Sequence, residues 1–199
     1  MNEKTIKQAE IELVKLDPVL GKLIKSQTLT PVNERSGYFS SLCRSIIGQQ
    51  VSVASAKAIF ARLEDKTKLL PKTVASLSEQ DIKTIGLSRQ KAGYIKDLAD
   101  HFIKDPEVYN HLEQQKDEQV ISELIDIKGV GVWTAQMFMI FTLARIDVFA
   151  PDDLGLKNAI IKLYKLNTEP TKKDLETLAE KWCPYRSLAC LHLWQSLAN

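Results

Sequence analysis

Apolar positions along this chain recur at helical spacing. Ile6, Ala9, Leu13 and Leu16 share one face of a predicted helix over residues 3–16, which Asp17-Pro18 ends. A second short apolar segment, Val19 to Ile24, precedes a polar loop from Ser26 to Ser36. From Tyr38 to Leu63 the apolar residues Phe39, Leu42, Ile46, Ile47, Val51, Val53, Ile59 and Leu63 predict two helices, joined tightly at Gly48-Gln49-Gln50. Short helices are expected over 71–77 and over 78–85, the latter capped by Ser78, and a longer one over 88–103 after Gly86. Lys116 to Ile125 leads into a glycine turn, and Val132 to Leu143 leaves it as a helix apolar around most of its circumference, hence central and buried. Segments 153–166, 172–182 and 186–197 complete the pattern, so the expected fold class is all-α.

Composition agrees with this pattern. With 199 residues, 44% hydrophobic and 26% charged, the chain suits one substantial core or two small lobes of a soluble protein. A net charge of +2 permits nucleic-acid binding without requiring it. An acidic stretch (Glu113, Asp117, Glu118, Glu123, Asp126) and a basic one (Arg62, Lys66, Lys68, Lys72) read as solvated helix faces. The polar start from Met1 to Glu12 is no secretion signal, and the apolar run from Val130 to Ala144 is too short to span a bilayer. A cytoplasmic, nucleoid-associated protein is expected, or a nuclear one, with no membrane partner. Cys43, Cys183 and Cys190 make no even disulfide framework. The C-x6-C pair Cys183 and Cys190 is half of an iron–sulfur signature, but Leu193 and Asn199 stand where the other two thiolates would be, so no such cluster is expected. His101, His111 and His192 lack metal-ligand spacing, and His192 reads as structural.

The most informative stretch is Ile127-Lys128-Gly129-Val130-Gly131-Val132-Trp133-Thr134, followed twenty positions after Trp133 by Asp153. Two glycines around one apolar residue suit a hairpin that needs positive φ and close backbone approach. Its amides, at a helix N-terminus, can take a phosphate, and its carbonyls a monovalent cation shared with that phosphate. A plain helical hairpin with a glycine cap is the competing explanation. In Pro151-Asp152-Asp153 one carboxylate can cap the following helix, and the second needs another reason.

These residues, with Ser45-Ile46-Ile47-Gly48-Gln49-Gln50-Val51-Ser52, Pro184-Tyr185-Arg186-Ser187 and His192-Leu193-Trp194, resemble the helix-hairpin-helix DNA glycosylases. Within that superfamily they are most similar to the 3-methyladenine DNA glycosylase II, or alkylpurine glycosylase, branch. The similarity runs from about Tyr38 to Trp194. It implies a two-lobed helical fold: a six-helix bundle over 38–147 ending in the hairpin, and a second lobe from 1–37 plus 148–199. No counterpart of the N-terminal β-domain of one relative is expected.

The resemblance implies a monomeric enzyme that flips an alkylated purine out of double-stranded DNA and hydrolyses its glycosidic bond. Asp153 matches the catalytic aspartate and Asp152 the preceding, non-catalytic place. Trp133 stands where strand-nicking relatives carry a lysine, which implies a monofunctional enzyme without AP-lyase activity, and its indole suits a cationic base. Trp194 matches a second aromatic of the base pocket, and Phe39 is a further pocket candidate, with core packing as the rival role for both, as for Tyr38 and Trp182. Met137 stands where a relative has an aromatic.

Gln50 or Gln49 would fill the gap left by the flipped base. Gly129, Val130, Gly131, Val132 and Thr134 would hold DNA through the hairpin, with Lys128, in place of the usual proline, adding charge. By the same match the carbonyls of Ile125, Ile127 and Val130 would face Na+ or K+, while catalysis would need no cofactor. Ser88-Arg89-Gln90-Lys91 reads either as further backbone contacts or as an exposed basic helix start. Rival functions are a same-fold glycosylase for mismatched or deaminated bases and a non-catalytic DNA-binding module. The acid at 153 separates the last, because binding alone gains nothing from negative charge beside phosphates.

Overall fold

A computed structural model of the chain describes residues 1–32 and 37–197. The last four residues of the expected polar loop, 33–36, lie outside the described residues. Among the described residues the regular structure is helical, as the apolar periodicity predicts. In chain order the helices are α1 (Glu3–Leu16), α2 (Pro18–Ile24), α3 (Tyr38–Gly48), α4 (Val53–Thr67), α5 (Pro71–Ala75), α6 (Glu79–Ile85) and α7 (Arg89–Lys104). After these come α8 (Pro106–Tyr109), a 3-10 turn (Leu112–Gln114), α9 (Asp117–Ile125), α10 (Val132–Phe141), α11 (Leu154–Tyr164), α12 (Lys172–Glu180) and α13 (Arg186–Gln195). α8 and the 3-10 turn are absent from the sequence reading, being too short for a periodic signal. α10, α12 and α13 each stop short of the predicted end, where the apolar pattern continues but the backbone turns.

The chain divides into two compact units, residues 1–34 with 139–199, and residues 35–138; the sequence reading draws this boundary at Asp147.

In the first unit, α1 and α2 meet at Asp17. Its Oδ1 accepts the Val19 and Leu20 N–H groups at 3.0 and 3.1 Å and so caps α2, where Pro18 supplies the preset first turn. Its Oδ2 accepts the Tyr164 hydroxyl at 2.5 Å and the Trp182 indole N–H at 3.1 Å. The residue is only 4% exposed. Burial by itself raises the carboxyl pKa, but these four donors outweigh it and hold the group below its ordinary value. The stabilisation is therefore complete above the usual carboxylate range and is lost as pH falls through the lowered value. Asp17→Ala leaves buried donors without an acceptor, and thermal and urea unfolding at neutral pH should show a loss of about 3 kcal/mol.

In the second unit, Phe39, Leu42, Ile46 and Ile47 of α3 and Ile95, Leu98 and Phe102 of α7 are buried. Ser78 caps α6 through a reciprocal pair with Asp81, and Gly86 ends it in the left-handed region at φ 86°. α10 begins in this unit. Ala135 and Phe138 are buried as its apolar circumference predicts, whereas Val132 and Trp133 in its first turn remain 43% and 44% exposed.

Candidate active site and nucleic-acid interface

The hairpin follows the C-terminus of α9. Gly129 has φ +82°, and a Cβ there would lie 2.2 Å from Cδ2 of Tyr94, so the ring of Tyr94 occupies the space that only glycine leaves. The Val130 N–H donates to the Ile127 carbonyl at 3.0 Å and closes the turn, with both side chains buried. Gly131 differs: its φ is outside the positive range, and a Cβ built on it meets nothing within 4 Å. No neighbouring atom demands glycine at 131; its carbonyl accepts the Ala135 N–H at 3.0 Å, so it caps the start of α10, and the space beside it is open. Val132 beside it is exposed, while the Thr134 side chain is buried.

Lys128, which the sequence reading places close to a phosphate, is exposed and ion-paired with Asp97. Its ammonium lies 2.9 Å from Asp97 Oδ1, and its backbone N–H donates to Asp97 Oδ2 at 2.9 Å. Burial raises the Asp97 pKa, but these bonds to Lys128 outweigh it and lower the value overall. Lys91, in the basic start of α7, is also engaged: its ammonium donates to the carbonyls of Ile47 and Gln49.

Gln49 and Gln50 are separated by the structure. The Gln49 amide donates to the Gly129 carbonyl at 2.8 Å and so braces the hairpin. Gln50 is exposed and sits in the left-handed region at φ 54°. Both line a hollow of about 610 Å³ with Arg44, Gly48, Trp133 and Met137. That volume is in the range of small-ligand pockets. Arg44, unremarked in the sequence, is held with its guanidinium 3.8 Å from the Phe60 ring centroid. Phe39 is not at this hollow: it is 6% exposed and packs edge-on against Phe102 at 5.2 Å, a core residue of its unit.

In the other unit, Asp153 is the N-cap of α11. Its Oδ1 accepts the Leu156 N–H at 2.7 Å and the Trp194 indole N–H at 2.9 Å. Two donors on one oxygen fix the plane of the carboxylate. Trp194 is itself backed by Phe141, ring centroids 5.5 Å apart. Gly155, which the sequence reading passed over, makes this possible: a Cβ there would lie 3.0 Å from Asp153 Oδ1 and 3.4 Å from Trp194 Cδ1. A glycine in the first turn of a helix costs stability, and that cost is the signal the sequence offers. Asp152 is exposed and pairs with Lys172 at 2.7 Å, so the two adjacent acids divide into a held carboxylate and a surface ion pair.

His192 is fully buried, 2.9 Å from the Gln27 amide and 3.2 Å from Glu10, and burial lowers its pKa to about 4. Among the described residues no group of three His, Cys, Asp or Glu side chains is placed to hold a metal. The carbonyls of Ile125, Ile127 and Val130 are neutral oxygen donors, the kind a hard monovalent cation takes; that of Ile127 is already oriented by its bond from Val130. No helix among the described residues is long and apolar enough to cross a membrane.

Residues 43–185 match the family model of the HhH-GPD superfamily base excision DNA repair proteins, and the chain belongs to that superfamily. Its relatives include the Schizosaccharomyces pombe alkylbase DNA glycosidase-like protein mag2, 30% identical over 198 residues that cover 95% of this chain and 92% of mag2. The Bacillus subtilis protein named "Putative DNA-3-methyladenine glycosylase YfjP" is 29% identical over 187 residues, 89% of this chain, which spans 65% of its length. The solved structure of S. pombe 3-methyladenine DNA glycosylase Mag1 in complex with abasic DNA superposes with a TM-score of 0.83 at 29% identity, covering 96% of this chain and 97% of that one.

Proposed function

We propose that the protein is a monofunctional DNA glycosylase of base excision repair that removes alkylated purines from double-stranded DNA. The observation that supports this most is the Asp153 carboxylate, held on Oδ1 by Trp194 and by the α11 N-terminus. In the proposed reaction the glycosidic bond breaks with its electron pair going to the base, which neutralises the positive charge of the alkylated purine. The sugar becomes an oxocarbenium ion, stabilised by the Asp153 carboxylate. Water then adds to the anomeric carbon and gives up its proton to Asp153 or to solvent, leaving free base and an abasic site.

The exposed indole of Trp133 provides an electron-rich face for a cationic base. It carries no amine, so the sugar meets no nucleophile for a Schiff base at this position. The hairpin amides around Gly131 would take a DNA phosphate, and the carbonyls of Ile125, Ile127 and Val130 would hold a Na+ or K+ beside it. Gln50, exposed while Gln49 is tied to the hairpin, is the side chain that would replace the flipped base.

Methylated duplex DNA incubated with the protein should acquire abasic sites that alkali cleaves, stay unnicked without alkali, and yield no covalent adduct on borohydride treatment. A trapped adduct, or nicking without alkali, would overturn the monofunctional assignment.

A further inference from the structure

One face of α7 holds both DNA-facing loops of its unit. Lys91, Tyr94 and Asp97 stand at i, i+3 and i+6 and so project from the same side. Asp97 binds the backbone N–H and the ammonium of Lys128, and Tyr94 fills the space beside Gly129. Lys91 reaches the other loop, with its Nζ 2.7 Å from the Ile47 carbonyl and 2.5 Å from the Gln49 carbonyl. The circuit closes through the Gln49 amide, which donates to the Gly129 carbonyl at 2.8 Å.

Capping alone accounts for half of this. A cation at the C-terminal end of α3 satisfies the Ile47 carbonyl and complements the helix dipole. The second bond goes to Gln49, beyond the last helical residue Gly48 and immediately before Gln50. Gln50 holds φ 54° without being glycine, a conformation that costs energy and persists only where the surroundings impose it. Lys91 fixes the carbonyl on one side of that residue, and partial burial of the ammonium, which lowers its pKa, marks the contact as desolvated.

We infer that Lys91 is a positioning residue: by clamping the Gln49 carbonyl it sets the direction of Gln50 and couples the wedge loop to the phosphate-binding hairpin. This rests on the glycosylase reading for the role of Gln50. A wedge held in register with the hairpin enters the base stack when the backbone is gripped, whereas an unclamped one explores other directions and fills the gap only part of the time.

The test is Lys91→Met on a duplex carrying 2-aminopurine opposite a tetrahydrofuran abasic analogue. Wild type should raise the fluorescence on binding. K91M should keep its dissociation constant within about threefold, because the hairpin contacts remain, yet lose most of the rise. K91R, which keeps a cation within reach, should recover it. Single-turnover excision of an alkylated purine from duplex should fall about tenfold in K91M, and only about twofold when the lesion faces an abasic site, where no partner base is left orphaned.

Equal fluorescence in K91M and wild type would overturn the inference, as would an equal loss of excision on both substrates, the mark of a merely structural lysine. If K91M fails to fold, Lys91→Gln removes the charge and shortens the reach to the Gln49 carbonyl and should give the same pattern; a full fluorescence rise there would also contradict it. A wild type that excises nothing while the fluorescence effect persists would sink the glycosylase reading and leave the clamp standing.

Discussion

Gly129→Ala is expected to cost roughly 3 kcal/mol of stability and most of the DNA affinity, whereas Gly131→Ala should cost under about 1 kcal/mol and still weaken DNA binding. The two glycines look alike in sequence but answer to different constraints. At 129 an alanine must adopt φ +82° and place its methyl 2.2 Å from a Tyr94 ring carbon. The positive φ costs about 1–2 kcal/mol, and displacing a packed aromatic ring costs about as much again. Loss of the turn then scatters the amides that follow. At 131 the methyl enters open space, so unfolding should register only the poorer capping by alanine, but a phosphate backbone approaching α10 would meet the methyl. Thermal unfolding and fluorescence-anisotropy titration of both variants check this. Equal stability of the two, or an unaltered affinity in Gly131→Ala, would contradict it.

Asp153→Asn should lower base excision by about 10² to 10³-fold while leaving the fold and DNA affinity intact. Asparagine is as good an N-cap as aspartate and can still accept from Leu156 and Trp194, so α11 and the indole stay in place. Only the negative charge is removed, and with it the stabilisation of the oxocarbenium ion. Removing an acid near phosphates should, if anything, tighten binding. Asp152→Asn loses only an exposed ion pair with Lys172 and should excise at the wild-type rate.

Much of the fold is legible because local signals agree. Asp17-Pro18 ends one helix and caps the next, Ser78 announces α6, and α10 advertises its burial by its apolar circumference. The partners of individual side chains are less so. Lys128 reads as a charge close to a phosphate, but its ion pair with Asp97 of α7 is not visible in the sequence. Phe39 could line a pocket by residue type, yet its position on α3 turns it to Phe102 in the core. Adjacent Asp152 and Asp153 differ only because Trp194 and Gly155 converge on one of them. Lys91, Tyr94 and Asp97 share a helix face that periodicity reveals, but which loops that face meets is a tertiary fact.

The most direct test of the account is chromatography of what leaves methylated duplex DNA after incubation with the protein. Wild type should release free alkylated purines and leave an unbroken strand with abasic sites, and Asp153→Asn should release almost none. Absence of released base from the wild type, or equal release by Asp153→Asn, would contradict it.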